Sequence, residues 1–270
     1  MPSSAVSTFR VTAAHRQQLT ADGFFVTPVI FDEVTIASVR SEMERIWSEQ
    51  IEQAQRNNAD ASTLDQIRYR PFIARLQEYS EPCAAFCRHP IILDLCRDLI
   101  GPDADMTWNQ TIIKPPASRD QKSTITARDN AFGWHQDQWY ALKGDYAKDS
   151  NIDLLTAPGN GFTMWIAISR TTVDNGTLWV LPGRHREGLL EHEWSTEKRE
   201  WQGKFDTSWK IPAVMRPGQA LIFDKYLPHG SSTNVSNETR IAYQISYMVP
   251  GLKKGPSPDL VPVLRGGSGV

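Results

Sequence analysis

Short apolar segments bounded by turn residues fill the second part of this chain, and they constrain its fold more than any other feature. Residues 162–168 and 178–181 are two such segments, with an Asp-Asn-Gly turn between them. Residues 219–224 follow an Arg-Pro-Gly turn, and residues 240–249 alternate between apolar and polar side chains. Segments of this length, composition and punctuation are typical of buried β-strands. The pattern therefore predicts a β-core.

The first part of the chain, about residues 19–101, has the periodicity of helices instead. Asp32 suits the N-cap of a helix that fades into a polar run before residue 60. A second helix is predicted from about Pro82 to Ile100, in two pieces around His89-Pro90. Because the periodicity changes to strands from about residue 106, we expect the helices to support a β-core at about 106–250 from outside.

Length and charge limit the classes of protein that need to be considered. A chain of 270 residues with 40% hydrophobic content can bury one sizeable core, so we expect a single domain over residues 1–270, with residues 1–18 mobile. The formal net charge of −2 provides no broad cationic field, which argues against nucleic acid and anionic membranes as partners. The expected partner is a small molecule, and the sequence indicates no oligomeric state.

The expected compartment is a bacterial-type cytoplasm. No apolar run reaches about 18 residues, and the N-terminus lacks the basic and apolar parts of a signal peptide. The chain ends Gly-Ser-Gly-Val, without a peroxisomal tripeptide. Cys83, Cys87 and Cys96 lie in one helical segment without zinc spacing, so we interpret them as buried thiols in a reducing compartment.

A Trp-His-Gln-Asp motif contains two potential metal ligands, His135 and Asp137. Residues two apart on an extended strand point to the same face, so this pair could offer a nitrogen and a carboxylate oxygen to one ion. His229, near a later strand, would complete a set of three donors. Two histidines and one carboxylate on one face of an octahedron leave three positions open, as in non-haem Fe(II) oxygenases. An isolated His-x-Asp pair is more often structural, so the other residues carry the argument.

Arg240 stands eleven residues after His229, at the start of the predicted strand 240–249. An arginine just inside a β-sheet is costly to bury alone, so it should have an anionic partner. A ligand carboxylate would suit the planar guanidinium, and a structural acidic residue is the alternative.

At these residues the chain resembles the phytanoyl-CoA dioxygenase-like branch of the Fe(II)/2-oxoglutarate-dependent oxygenases. The resemblance covers most of the chain, and the order and spacing of its pieces are more specific than any one piece. It implies a mainly β structure with flanking helices around a double-stranded β-helix, the jelly-roll core of cupins. The segments that carry it, besides Arg240, are 19–26 (LTADGFFV), 113–116 (IKPP), 134–137 (WHQD), 175–178 (NGTL), 181–185 (LPGRH) and 228–231 (PHGS).

The resemblance implies that His135, Asp137 and His229 bind Fe(II). His185 is a rival for the third position because it also follows two strands, but no arginine stands eleven residues beyond it. The other histidines, at positions 15, 89 and 192, are expected to face solvent or to cap helices.

For the cosubstrate, the resemblance implies that Arg240 binds the distal carboxylate of 2-oxoglutarate. It also suggests contacts from Lys114, Trp165 and Ser231. Each of these three has a structural alternative. Lys114 could be a solvent-facing strand end, Trp165 a core residue, and Ser231 a hydroxyl bonded to its own backbone.

Substrate contacts are predicted from aromatic and basic residues near the motifs. Trp139 and Tyr140 either pack in the core or face the substrate. Arg184 either meets an anionic substrate or is a solvated loop charge. Two long segments, 117–132 and 141–161, flank the metal motif and are predicted to gate the substrate site. A third long segment, about 186–212, carries three tryptophans among charged residues.

Together these features predict an Fe(II)- and 2-oxoglutarate-dependent dioxygenase that consumes O2 and releases succinate and CO2. The expected reaction is hydroxylation of an unactivated C–H bond in a small-molecule metabolite or natural-product intermediate. Retention of Asp137 favours hydroxylation, because halogenating relatives lack this carboxylate; desaturation and ring formation stay open. Two alternatives use the same fold: a hydrolase with Zn²⁺ on the three ligands, and a catalytically silent binding protein.

Overall fold

The fold was examined in a computed structural model, which describes residues 9–143, 147–253, 260–266 and 268–269. The helices of these residues lie mostly in the first part of the chain, where the sequence predicted them. Their bounds are α1 Ala13–Asp22, α2 Glu33–Arg56, α3 Ala61–Tyr69, α4 Glu81–Phe86, α5 Pro90–Leu99, α6 Ile125–Arg128, α7 Asp137–Lys143 and α8 Ile152–Thr156.

The strands are short and lie mostly after residue 100. Their bounds are β1 Phe24–Val26, β2 Phe72–Ala74, β3 Ala104–Lys114, β4 Phe132–His135, β5 Gly161–Ala167, β6 Leu178–Val180, β7 His192–Ser195, β8 Glu200–Gly203, β9 Ile211–Pro212, β10 Ala220–Phe223, β11 His229–Ser231, β12 Arg240–Met248, β13 Val261–Arg265 and β14 Ser268–Gly269.

Two antiparallel sheets form the core of the fold. The larger sheet has the order β1-β10-β5-β12-β3-β13-β14, with β2 also paired to β3, and the smaller has the order β4-β11-β6-β9. Strands β7 and β8 form a separate hairpin. In the larger sheet, Arg240 of β12 lies directly opposite Lys114 of β3. This register brings two basic side chains to the same end of the sheet.

Alternation along β12 shows how the two layers are built. Tyr243 and Ile245 point into the apolar core beneath the helices, where they join Met43 of α2. Ala242 points the other way, into a second core shared with Val180 of the smaller sheet. A period of two is what a strand with both faces covered requires. The predicted jelly-roll of two packed sheets with helices outside is therefore confirmed.

The helical predictions are largely confirmed. Asp32 caps α2 by accepting a hydrogen bond from the backbone of Thr35, at 2.7 Å. The segment predicted at 82–100 forms α4 and α5, with His89 as the N-cap of the second piece. The three cysteines are buried free thiols, as expected.

The start of the chain requires a correction. Residues 13–18, which we expected to be mobile, lie in α1, where Thr12 and His15 form a capping box. The side chain of Arg10 anchors this region by donating to Asp98, with 2.9 Å between Nε and Oδ2. The capping interactions thus stabilise a helix in a segment whose Ser-, Thr- and Ala-rich composition suggested mobility. Residues 1–8 lie outside the described residues.

The long segments that interrupt the strands contain short elements of their own. Segment 117–132 includes α6, segment 141–161 includes the end of α7 and all of α8, and segment 186–212 includes the β7–β8 hairpin. Residues 144–146 of the second lie outside the described residues, and gating by these segments stays a prediction. None of the helices in the described ranges combines the length and apolar character that a bilayer crossing requires.

Candidate active site

The two sheets and α7 bring three potential metal ligands to one point. His135 ends β4 and His229 begins β11, and these two residues are direct partners in the antiparallel pairing. Their ring centroids are 4.2 Å apart. Asp137 begins α7, and one donor atom from each of the three residues lies within 4.8 Å of the others. The arrangement can hold a metal ion.

The geometric argument for His135 and Asp137 was wrong, although the two side chains do converge. They do not alternate on one strand, because β4 ends at His135 and α7 begins at Asp137. The residue between them, Gln136, is fully buried and donates its side-chain amide to the carbonyls of Tyr226 (2.6 Å) and Gly188 (2.8 Å). These bonds hold the chain at the point where it changes from strand to helix.

Backbone carbonyls orient both histidine rings. His135 Nδ1 lies 2.8 Å from the carbonyl of Gly133, and His229 Nδ1 lies 2.9 Å from that of Leu227. Since a carbonyl only accepts, each Nδ1 carries the proton and each Nε2 is free to bind a metal. The Nε2 atoms lie 3.8 Å and 3.6 Å from Asp137 Oδ1. Burial and the nearby His229 lower the pKa of His135 well below its usual range, which keeps its ring neutral.

The Asp137 carboxylate is also held in one orientation. Its Oδ2 accepts hydrogen bonds from Thr163 Oγ1 at 3.0 Å and Gln244 Nε2 at 3.1 Å. Gln244 is fixed in turn, because its Oε1 accepts from Gln110 Nε2 at 3.0 Å. The remaining oxygen, Oδ1, faces the two histidines. A carboxylate held in this way presents one oxygen to a metal.

Removing these donors is expected to weaken metal binding. In the Thr163→Val and Gln244→Leu variants, we expect the dissociation constant for Fe(II) to rise about ten- to a hundredfold, because the carboxylate loses an orienting bond. Anaerobic calorimetric titration with Fe(II) measures this effect. The matched control is Thr111→Val, since among the described residues that buried hydroxyl bonds the Ala242 carbonyl alone. Unchanged affinity in folded Thr163→Val and Gln244→Leu proteins would contradict the assignment.

Arg240 is a buried cation without a carboxylate partner. It is 0% exposed, and its guanidinium donates to the carbonyls of Ile112 (3.3 Å) and Gly176 (3.0 Å). Within the described part of the chain its Nε has no hydrogen-bond partner and no carboxylate lies within ion-pair distance. Burial lowers the pKa of the Arg240 guanidinium. A charge in this position calls for an anion.

Lys114 places a second positive charge beside the first. It is only 3% exposed, so the solvent-facing alternative is wrong. Its Nζ donates to Ser231 Oγ at 2.7 Å and to the Ser232 carbonyl at 2.6 Å. Burial, followed by the neighbouring Arg240, lowers the pKa of the Lys114 amine well below its usual range. An anion between the two residues would relieve both effects.

Trp165 completes this cluster of residues. The guanidinium carbon of Arg240 lies 5.2 Å from the centre of its ring, and its indole N–H has no acceptor among the described residues. Trp165, Arg240, Lys114 and Ser231 all line a cavity of about 450 Å³ that extends to the two metal-facing histidines. The structure thus brings all four predicted cosubstrate residues to one pocket. Their contact with 2-oxoglutarate stays a prediction.

A second cavity, of about 360 Å³, is lined by His135 and Asp137 among others. Asp137 and Thr163 line this second cavity alone, whereas His135, Gln110 and Gln244 line both. The two spaces therefore adjoin at the ligands. Arg240 and Lys114 line the first space, whereas the second has a largely apolar surface with Lys225 in its wall.

Two of the three predicted substrate contacts require correction. Tyr140 lines both cavities, with its ring centroid 5.6 Å from that of His135. Trp139 instead stacks on His192 at 4.4 Å and lines neither cavity. Arg184 also lies away from them and donates to Glu187 at 2.7 Å and 2.6 Å. Of the three, Tyr140 alone keeps its predicted place.

The other histidines differ in their outcomes. His15 and His89 cap helices, as expected. His192 is buried and does not cap a helix, because its Nε2 accepts a hydrogen bond from the backbone of Gln136 at 3.1 Å. Within the described ranges, His185 is not part of the three-residue donor group, and it packs against Gly23 instead.

Sequence reasoning missed a buried ion pair at the cavity wall. The guanidinium of Arg70 pairs with the carboxylate of Glu200 and lies 4.7 Å from the ring centre of Phe132. Glu200 also accepts a hydrogen bond from the Gly133 backbone at 2.8 Å, which ties β8 to β4. The Pro that follows Arg70 and the tryptophans around Glu200 gave no signal that the two residues meet.

A jelly-roll core with two histidines and a carboxylate beside a buried arginine defines the Fe(II)/2-oxoglutarate-dependent oxygenases as a class. The model of the phytanoyl-CoA dioxygenase (PhyH) family matches residues 19–242. The chain therefore belongs to this family, whose members use Fe(II), 2-oxoglutarate and O2.

Individual relatives agree with this assignment. A probable phytanoyl-CoA dioxygenase of Caenorhabditis elegans is 28% identical over 192 residues, which is 65% of this chain and 54% of the nematode protein. The human peroxisomal phytanoyl-CoA dioxygenase is 24% identical over 248 residues, which is 86% of this chain and 67% of that protein. The present chain thus matches only about half the length of the nematode relative.

Solved structures share the fold. The non-heme monooxygenase ThoJ aligns with a TM-score of 0.64 at 21% identity, covering 92% of this chain and 82% of that chain. EvdO2 of Micromonospora carbonacea var. aurantiaca, complexed with 2-oxoglutarate, aligns at 0.63 and 18%, covering 93% and 97%. SnoK, an alpha-ketoglutarate-dependent carbocyclase of nogalamycin biosynthesis, aligns at 0.61 and 16%, covering 93% and 96%.

Proposed function

We propose that this protein hydroxylates an unactivated C–H bond of a small-molecule metabolite or natural-product intermediate, with Fe(II) as the metal cofactor and with O2 and 2-oxoglutarate as cosubstrates. The single observation that carries the proposal is the pair of buried cations, Arg240 and Lys114, in a cavity that reaches the histidines. In the described ranges, no carboxylate lies within ion-pair distance of either residue. A dianion with one end at the metal and the other end at these cations fits that cavity.

His135, Asp137 and His229 would hold the metal, and the donor set suits Fe(II), because two neutral imidazoles and one carboxylate leave positions for other ligands. Bound Fe(II) supplies the activation of O2 and the oxidative decarboxylation of 2-oxoglutarate to succinate and CO2. The protein contributes the orientation of the ligands. The carbonyls behind each Nδ1 and the two donors on Asp137 Oδ2 leave one nitrogen or oxygen of each residue facing the centre.

Arg240 and Lys114 would bind the distal carboxylate of 2-oxoglutarate. Their burial excludes water from the pair, which strengthens the attraction to an anion. The free indole N–H of Trp165 offers one more donor in the same cavity. Ser231 accepts from Lys114 and keeps its amine in place, so we assign it a positioning role.

This arrangement favours an oxygenase over the two alternatives. A zinc hydrolase would use the same three ligands to activate water, but it would have no use for two buried cations in the adjoining cavity. A silent binding protein would not need two histidines with oriented Nε2 atoms and a carboxylate with one free oxygen. The presence of Asp137 favours hydroxylation over halogenation, and desaturation and ring formation stay open. The cytoplasmic location stays a prediction from the sequence.

Succinate formation tests the proposed function. We expect the purified protein to convert 2-oxoglutarate to succinate only with Fe(II) and O2, at a slow uncoupled rate even without the prime substrate. Succinate is measured by mass spectrometry and O2 by an electrode, with Zn²⁺ under anaerobic conditions as the control. Turnover sustained by Zn²⁺ without O2 would exclude an oxygenase. Screening compounds for stimulated succinate release, followed by identification of the product, then tests hydroxylation against desaturation or ring closure.

A further inference from the structure

We propose that the substrate is a compact organic anion whose charged group is bound by Lys225. This inference rests on the proposed function and specifies the substrate class for the same site. Lys225 lies in the segment between β10 and β11 and lines the second cavity together with Asp137. Its place in the second cavity distinguishes it from Lys114 and Arg240, which line the first cavity.

Lys225 is a buried ammonium whose hydrogen bonds, among the described residues, go to neutral groups. It is 8% exposed, and its Nζ donates to the Leu155 carbonyl at 2.5 Å and to Asn160 Oδ1 at 2.6 Å. Throughout the described ranges, no carboxylate lies within ion-pair distance of it. The neighbouring Asp224 is turned to its own backbone, where its carboxylate accepts from the Tyr226 N–H at 2.8 Å.

The bonding of this amine leaves both charge and a donor available. An ammonium has three N–H donors, and two are used. Burial lowers the pKa of the Lys225 amine to about 8, so it is largely protonated at neutral pH. Burial of this charge is unfavourable; the nearby Asp224 carboxylate offsets part of the cost, and an anion in the adjoining space would relieve the rest. The wall of the cavity at Lys225 therefore suits a negatively charged group.

The other residues that line the second cavity indicate the size and polarity of the uncharged part of the substrate. Its lining includes the aromatic rings of Phe72, Trp108, Phe132 and Phe162. The volume of about 360 Å³ lies near the lower end of the range for small-molecule sites, about 300–1,000 Å³. Among the described residues of the lining, the one carboxylate is that of Asp137, which we assign to the metal. An apolar or aromatic body with a single anionic group fits both the size and the charge.

Binding to the anaerobic Fe(II) enzyme tests this inference. The enzyme is first saturated with 2-oxoglutarate, so that Arg240 and Lys114 are occupied, and is then titrated calorimetrically with hexanoate, benzoate and phenylphosphonate. Methyl hexanoate, methyl benzoate and dimethyl phenylphosphonate are the neutral counterparts. We expect at least one anion to bind about ten- to a hundredfold more tightly than its neutral counterpart, as one charge-assisted hydrogen bond predicts. Comparison of carboxylates with the phosphonate shows which anion the site prefers.

Variants assign the preference to Lys225. Lys225→Met should remove the preference for the anion, and Lys225→Arg should keep part of it. Lys204→Met is the matched control, because Lys204 is a surface residue paired with Glu193. Circular dichroism and 2-oxoglutarate affinity show whether each variant is folded. If Lys225→Met does not fold, Lys225→Gln, which keeps a polar side chain, takes its place.

Two results would overturn the inference. One is a wild-type enzyme that binds no anion of the panel more tightly than its neutral counterpart. The other is a folded Lys225→Met or Lys225→Gln variant that keeps the full preference. Both results can be told apart from a failure of the proposed function. Anion binding is measured without turnover, whereas the proposed function fails if the enzyme with Fe(II) and O2 yields no succinate.

Discussion

Replacing His229 with alanine is expected to abolish the formation of succinate from 2-oxoglutarate, with a loss of about a thousandfold or more. The variant removes one of three donors within 4.8 Å of one another, and the other two come from a single short segment. Loss of several kcal/mol of metal-dependent stabilisation gives a rate effect of this size. The measurement is succinate released per enzyme under air, with Fe(II) at several concentrations.

His89→Ala is the matched control for this variant. His89 is the N-cap of α5 and does not belong to the donor group, so its loss should lower stability and leave the Fe(II) dependence unchanged. A folded His229→Ala protein that retains about a tenth of the wild-type rate would show that His229 does not bind the metal.

The second large effect is expected at Arg240. In Arg240→Leu, the dissociation constant for 2-oxoglutarate should rise about a hundredfold or more, because truncating one partner of a buried charge pair costs about 2–5 kcal/mol. The affinity for Fe(II) should be unchanged, because Arg240 is not among the metal donors. Anaerobic titration of the Fe(II) enzyme with 2-oxoglutarate measures the effect. Arg40→Leu, at a surface pair with Glu44, is the matched control.

A change of cosubstrate separates recognition from a structural role at Arg240. The 2-oxo acid 2-oxohexanoate has an apolar end in place of the distal carboxylate. The wild-type enzyme should bind 2-oxoglutarate far more tightly than this analogue, and Arg240→Leu should lose most of the difference. A variant that weakens both acids equally would indicate that the substitution damages the pocket as a whole.

The sequence predicted the metal ligands and Arg240 because their signal is carried by short motifs. It could not predict what orients them. Thr163 and Gln244 reach Asp137 only because β5 and β12 pair in one register beside the start of α7. A polar residue inside an apolar strand indicates that its side chain forms a buried hydrogen bond. The sequence does not say which residue accepts that bond, because this depends on how the strands pair. The burial of Lys114 likewise depends on its position opposite Arg240 in the pairing of β3 with β12.

Trp139 and Tyr140 show how one error in secondary structure changes a functional prediction. We expected an extended strand through Asp137, and the continuation of such a strand would place Trp139, rather than Tyr140, on the same face as Asp137. Because α7 begins at Asp137, the residue three positions on lies on the same helical face. That residue is Tyr140, which lines the cavities, whereas Trp139 points toward His192. Knowing where the helix starts is enough to correct the prediction.

The pairing of His135 with His229 has a consequence for biosynthesis. Because the two donors belong to strands far apart in the chain, a nascent polypeptide that has not reached β11 exposes only the weak His-x-Asp pair. Tight chelation must await synthesis of β11 and of β12, whose Gln244 orients the Asp137 carboxylate. Metal binding then stabilises the native fold, since an ion that binds only the native state shifts the folding equilibrium toward that state.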